Sequence, residues 1–178
     1  MRHPAAVSAL GSLTRPRLWG MAWLVLALAA CTTAPPQSGT PSPSLATAGV
    51  APNPVRNDIA LVALSLLDTA YSWGGRGPAT GFDCSGLVSH VYREAAGLKL
   101  GGSSVTLAQM SRRIDPEHKQ PGDLVFFNTL GSPHSHVGVY IGNGRFVHAS
   151  NPRTGVRVDL LSNRYYAQRF EGVHTLLD

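Results

Sequence analysis

The sequence predicts an α+β domain in which N-terminal helices pack on a small antiparallel β-sheet, occupying residues 57–178 of a 178-residue chain. Three observations carry that prediction. Apolar residues recur at helical spacing in the first part of the domain, alternating strand patterns follow a Pro121-Gly122 turn, and the helical patterns precede the strands. The length suits one domain and is short for two.

Asn57 is a good helix cap, and Ile59, Ala60, Val62, Ala63, Leu66 and Leu67 follow at helical spacing, so a helix is predicted over 58–70. Tyr71 to Pro78 is a glycine-rich loop; it lacks the strand-to-helix setting and the Lys-Ser/Thr ending of a phosphate loop. A second helix is predicted from Cys84, with an apolar stripe of Leu87, Val88 and Val91 and a stop at Gly97. A shorter helix is predicted over Thr106 to Arg113. Strands are predicted near Leu124–Phe127, His136–Ile141, Arg145–His148, Val156–Val158 and Arg169–His174.

The segment before the domain is of a different kind. Leu18 to Ala30 is an apolar run of thirteen residues, too short for the roughly 20 that cross a bilayer as a helix. It reads as the core of a secretory signal over residues 1–30. Leu28-Ala29-Ala30-Cys31 resembles a bacterial lipobox, which implies acylation of Cys31. Residues 31–56 are rich in Pro, Ser, Thr and Gly and read as a tether. Thr32, rather than Asp, resembles Gram-negative lipoproteins of the outer membrane that face the periplasm, so the expected partner there is the membrane itself, through the lipid anchor. The net charge of +5 sits largely here: Arg2, Arg15 and Arg17 lie among thirty residues without an acid, and the remainder carries 12 basic against 10 acidic residues. This gives no basis for nucleic-acid binding.

With Cys31 acylated, Cys84 has no partner left in an oxidising compartment, which marks it as a candidate reactive thiol. Its place at a helix start predicts a lowered pKa, since unpaired amides and the helix dipole favour thiolate. A nucleophilic cysteine also needs a base. His90 lies on the far side of the Cys84 helix, His118 in a charged loop and His174 near the C-terminus. His136 opens the alternation His-Val-Gly-Val-Tyr-Ile-Gly on the face shared with Gly138, where a substrate has room; His134 is its rival. His148 lies one strand later. A two-residue loop, Asn143-Gly144, would put His136 and His148 on opposite faces. A three-residue loop, Gly142-Asn143-Gly144, would make them diagonal neighbours about 7–8 Å apart between α-carbons. The longer loop is the expectation, with Gly144 as a left-handed bulge residue.

Five segments in order, Tyr71-x-Trp-Gly-Gly, Asp83-Cys84-Ser85-Gly86-Leu87-Val88, Pro121-Gly-Asp-Leu-Val-Phe-Phe127, His136-Val-Gly-Val-Tyr-Ile-Gly and Phe146-Val-His148-Ala-Ser, resemble the NlpC/p60 family of cell-wall cysteine peptidases over about residues 58 to 175. The resemblance implies a papain-like core with Cys84 as nucleophile, His136 as base and His148 as the residue that orients it. It implies Tyr71 beside the thiol as an oxyanion or substrate contact, and Asp83 and Ser85 as a grip on a free substrate amine. Its substrates are peptidoglycan stem peptides, cut at D-glutamyl–diaminopimelate or at a cross-link, with no metal or organic cofactor. It names no protein partner. Between Gly97 and Thr106 this chain has Leu-Lys-Leu-Gly-Gly-Ser-Ser where many members carry Pro-Arg before Ser/Thr, which leaves the cleft rim and the bond open. A catalytically silent wall-binding lipoprotein, and an amidase or acyltransferase using the same Cys/His machinery, are the alternatives. A zinc site on His134, His136 and His148 would leave the thiol unexplained.

Overall fold

In a computed structural model, which describes residues 53–178, the first element is helix α1 (Pro54–Ser65). It starts four residues before the predicted first residue, Asp58. Asn53 is the cap: the Val55 N–H donates to its side chain at 3.1 Å, and Pro54 fills the first helical position, where an N–H has no helical partner anyway. Helix α2 (Cys84–Ala96) matches its prediction at both ends, with Asp83 as cap and Gly97 in the left-handed conformation that ends it. Helix α3 (Ser104–Met110) starts two residues early because Ser103, not a later residue, supplies the capping oxygen.

Between α1 and α2 lies a two-stranded ribbon, β1 (Arg76–Gly77) and β2 (Gly81–Phe82), too short to show a period in the sequence. The main sheet has six antiparallel strands: β3 (Arg112–Ile114), β4 (Leu124–Phe127), β5 (His136–Gly142), β6 (Arg145–Asn151), β7 (Gly155–Leu160) and β8 (Phe170–Thr175). Their order is β3-β8-β4-β5-β6-β7. Strands β4 to β7 form an antiparallel meander, whereas β8 returns beside β4 after a one-turn helix, α4 (Arg164–Ala167), which the sequence does not announce. The α+β class and the helices-on-sheet arrangement are as predicted.

The sheet is covered on both faces. On one, Leu124, Phe126, Val137, Val139, Val147 and Ala149 pack with Ile59 and Ala63 of α1 and Leu87, Val88 and Val91 of α2. On the other, Val125, Phe127, Tyr140, Phe146, Tyr166 and Val173 form a second cluster. Hence β4 reads as the unbroken apolar run Leu-Val-Phe-Phe, all four residues buried. Each fully buried aliphatic side chain on α2 contributes about 1.5–3 kcal/mol by leaving water.

One buried ion pair ties these layers together. Arg56 Nη1 of α1 lies 2.6 Å from Asp123 Oδ1, with side chains only 11% and 1% exposed. Arg56 Nη2 also donates to Thr175 Oγ1 on β8 at 3.3 Å, and the Gln120 N–H donates to Asp123 Oδ2 at 2.7 Å. The Tyr92 hydroxyl of α2 donates to the Gly122 carbonyl of the same turn. The Pro121-Gly122-Asp123 motif therefore anchors both helices to the start of β4. Asp123→Ala leaves a nearly buried guanidinium uncompensated, so stability falls by about 3 kcal/mol or more. Urea unfolding checks this; a loss under about 1 kcal/mol contradicts it.

Candidate active site

Cys84 is the first residue of α2, and the N-terminus of that helix reaches the beginning of β5. Cys84 is half-buried as a residue and is the sole, unpaired cysteine among the described residues; Cys31 lies outside them. Backbone N–H groups of Val137, Ser85 and Cys84 itself face the sulfur and favour thiolate. They are outweighed. Burial, and then the charge of the neighbouring Asp83 carboxylate, push the thiol up to about 11. The predicted lowering of this pKa is thus overturned: a helix start supplies amides, but the cap that creates it is an anion one residue away. Burial, followed by the charges of Cys84 and Asp83, also raises Tyr71 above the ordinary phenol range.

His136, the first residue of β5, is 8% exposed and lines one cleft with Cys84. Its Nε2 lies 2.8 Å from Nδ1 of the fully buried His148, with the two rings nearly perpendicular at 87°. Burial, and then His148, push His136 down to about 3. Burial likewise takes His148 below the ordinary histidine range, against the raising effect of Asp159, whose Oδ2 is 2.9 Å from His148 Nε2. Burial of Asp159 would raise its carboxyl, yet its hydrogen bonds to His148 and Arg157 and the charge of Arg157 hold it below the carboxylate range. The resting arrangement is a neutral thiol, two neutral imidazoles and an ionised Asp159.

The hairpin that joins the two histidines differs from the expected one. Gly142 pairs with Arg145, so the loop is the two residues Asn143-Gly144, with φ of 52° and 68° as a type I′ turn requires. The register then shifts by one between Tyr140 and Gly142, a bulge in which Gly142 takes φ 92°. From Tyr140↔Phe146 onward the register is that of the expected odd loop, and His136 and His148 share a face. Gly138 leaves room for something other than substrate: a Cβ there would meet the Phe146 ring at 2.6 Å and the His148 Cβ at 3.2 Å.

The cleft, of about 190 Å³, is lined by Tyr71, Trp73, Asp83, Cys84, Ser85, Ser103, Ser104 and His136, so all the predicted substrate contacts reach it. Asp83 is heavily committed. Its Oδ1 accepts from Ser85 Oγ at 2.9 Å and from the Gly86 N–H at 2.7 Å, and its Oδ2 accepts from the Gly74 N–H at 3.0 Å. A carboxylate offers about four acceptor positions, which leaves one for a ligand. On the other side of His136 a wider recess of about 480 Å³ is lined by Arg157, Asp159, Asn163, Tyr165 and Tyr166. The other histidines stand apart. His134 packs against Phe126 and His174, with its N–H donating to Glu171 Oε2 at 2.6 Å. His90 pairs with Arg93, His118 is exposed and His174 meets Ser111.

The sequence reading missed Asp159, Arg157 and Trp73, whereas Ser103 and Ser104 fall in the segment it placed at the cleft rim. Register alone gives a partial signal for the first two: Arg157 pairs with His148, and Asp159 lies two residues on, on the same face. A second bulge, between Ala149 and Asn151, hides that parity from the sequence.

A family model described as the NlpC/P60 family matches residues 68–175. The chain is 35% identical over 127 residues to the γ-DL-glutamyl hydrolase of Bacillus subtilis, covering 70% of this chain and 30% of that protein. It is 37% identical over 112 residues to the murein DD-endopeptidase MepH of Escherichia coli, covering 60% and 41%. The chain thus spans less than half the length of these curated relatives. Among solved structures it is similar to the NlpC/p60 domain of the peptidoglycan hydrolase SagA, at 29% identity and a TM-score of 0.59, covering 68% of this chain and 98% of that one.

A thiol that holds its proton to about pH 11 alkylates slowly at neutral pH. The rate of iodoacetamide labelling of Cys84 without substrate is expected to climb through pH 7 to 10 with no plateau. A plateau reached by about pH 7 would show a preformed thiolate and contradict this account.

Proposed function

The chain belongs to the NlpC/P60 family, and from that premise we propose that it is a cysteine-type endopeptidase acting on the stem peptides of peptidoglycan. The observation that supports this reading most is the cleft shared by Cys84 and His136, with the His136 ring held on its far side by His148 at 2.8 Å. The relatives act, by their names, on γ-glutamyl and on murein DD bonds. We infer the same two options here: D-glutamyl–diaminopimelate, or a cross-link between stems.

In the proposed reaction Cys84 is the nucleophile. Because thiol and imidazole are both neutral at rest, attack and deprotonation occur together: Sγ bonds to the substrate carbonyl carbon as the thiol proton passes to His136. The Cys84 N–H, with the Tyr71 hydroxyl, steadies the oxyanion, a contribution worth about 3 kcal/mol. The C–N bond then breaks, and His136 returns the proton to the leaving amine. Water attacks the thioester, His136 accepts its proton, and the acid product leaves as the proton goes back to sulfur. The one free acceptor position of Asp83, beside Ser85, is the proposed grip on a free amine of the acyl portion. No metal or organic cofactor enters these steps. The chain before the domain is proposed as a signal over 1–30 and a tether over 31–56, acylated at Cys31. That arrangement would hold the domain on the outer membrane facing the periplasm, since several acyl chains anchor far better than one.

Muropeptides incubated with the wild-type chain and with Cys84→Ala, with product masses read by mass spectrometry, test this. Cleavage within the stem peptide by the wild type, lost by roughly three orders of magnitude or more in Cys84→Ala, is the expected outcome. Release of the intact stem from muramic acid would instead make the protein an amidase. Identical products from both proteins would remove Cys84 from the reaction.

A further inference from the structure

The hydrogen bonds that hold His136 do not end at His148. His148 Nε2 lies 2.9 Å from Asp159 Oδ2. Arg157 clamps that carboxylate, its Nη2 donating to Oδ1 at 3.1 Å and its Nε lying 3.1 Å from Oδ2. An ionised carboxylate only accepts, so the proton between Nε2 and Oδ2 sits on His148. A neutral imidazole carries one N–H, so His148 Nδ1 is then a bare acceptor. The 2.8 Å contact between the rings in turn requires His136 Nε2 to be the donor. His136, neutral as well, is left with Nδ1 bare, and a bare ring nitrogen is what can take the Cys84 proton. Reversing the first proton reverses them all: an N–H on His148 Nδ1 would put the His136 proton on its own Nδ1, and the base would become a donor.

We propose that Asp159 is a positioning residue that fixes the tautomer of His136 through His148, with Arg157 holding the carboxylate in place. Asp159 acts two rings away from the sulfur and touches no reacting atom. The groups facing His148 Nε2 explain why this carboxylate matters. The Tyr166 hydroxyl of α4 lies 3.5 Å from the same nitrogen, and a hydroxyl can donate or accept. With Asp159 gone, Tyr166 and water would occupy that side without dictating a direction. Arg157, the cation on Asp159's own strand, would be left without its carboxylate partner.

The role rests on the reading of His136 as general base, so the test separates the two. Ring-nitrogen NMR of ¹⁵N-histidine-labelled full chain, taken near neutral pH without substrate, reads the tautomers directly. In the wild type both His136 and His148 are expected as Nε2–H forms. In Asp159→Ala the His136 signals move to a mixture of tautomers. In a stem-peptide assay kcat falls about 10- to 100-fold with KM within about twofold, less than the ~10⁴ measured when an acid contacts the base directly. If Asp159→Ala does not fold, Asp159→Asn serves, since its amide both donates and accepts and gives the same mixture. A His136 carrying its proton on Nδ1 in the wild type, or tautomers unchanged in the variants, overturns the proposal. The NMR shift found in a protein that cleaves no muropeptide upholds the proton arrangement and counts against the hydrolase reading instead.

Discussion

The contact between the His136 and His148 rings is the constraint to which the rest of the site is fitted. It spans two neighbouring strands, and it exists only because both rings emerge from one face of the sheet. In a structure whose side chains alternate, a slip of one residue would send one ring to the opposite face. The bulge before Asn143-Gly144 sets that parity, and Gly138 gives His148 the space to lean toward its partner. Helix α2 then needs only to bring its first residue to the start of β5, where the Val137 amide meets the sulfur, and the Asp83 cap and the packing of Leu87, Val88 and Val91 accomplish this.

The electrostatics of the site follow from burial more than from the helix. Three amides point at the sulfur, yet little water reaches the thiol, and the nearest full charge is negative. The proposed base, His136, is in the same position: a buried ring beside another imidazole, where a positive charge is disfavoured. Both groups rest neutral, and in the proposed reaction charge separates only when a carbonyl carbon is present to receive the sulfur. The one charged member of the line, Asp159, lies at the end remote from the thiol and is itself compensated by Arg157.

Much of this was legible in the residues. The ends of α2 were readable because cap, apolar stripe and terminal glycine agree there. The strands of the meander announced themselves by alternation and turn residues, and Cys84, His136 and His148 stand out as the thiol and the two strand histidines that reach one place. The start of α1 was hidden because Asn53-Pro54 continues a proline-rich composition that reads as tether. Strand β3 is three residues long, and the return of β8 beside β4 is a matter of tertiary packing, to which local pattern is blind. The bulges that decide parity leave only glycines as a trace. The thiol's proton affinity depends on how deeply the sulfur is buried and how close Asp83 lies, and neither is encoded in the spacing of residues along a helix.

Whether a covalent bond to Cys84 lies on the proposed reaction path is decided by a rapid-quench mass measurement of the protein during turnover of a stem-peptide substrate. A transient mass increase equal to the acid product less one water is expected. That increase would map to the peptide containing Cys84, be removed by hydroxylamine as a thioester is, and be absent from Cys84→Ala. Turnover with no adduct at any time under pre-steady-state conditions, or an adduct on a different residue, would contradict it.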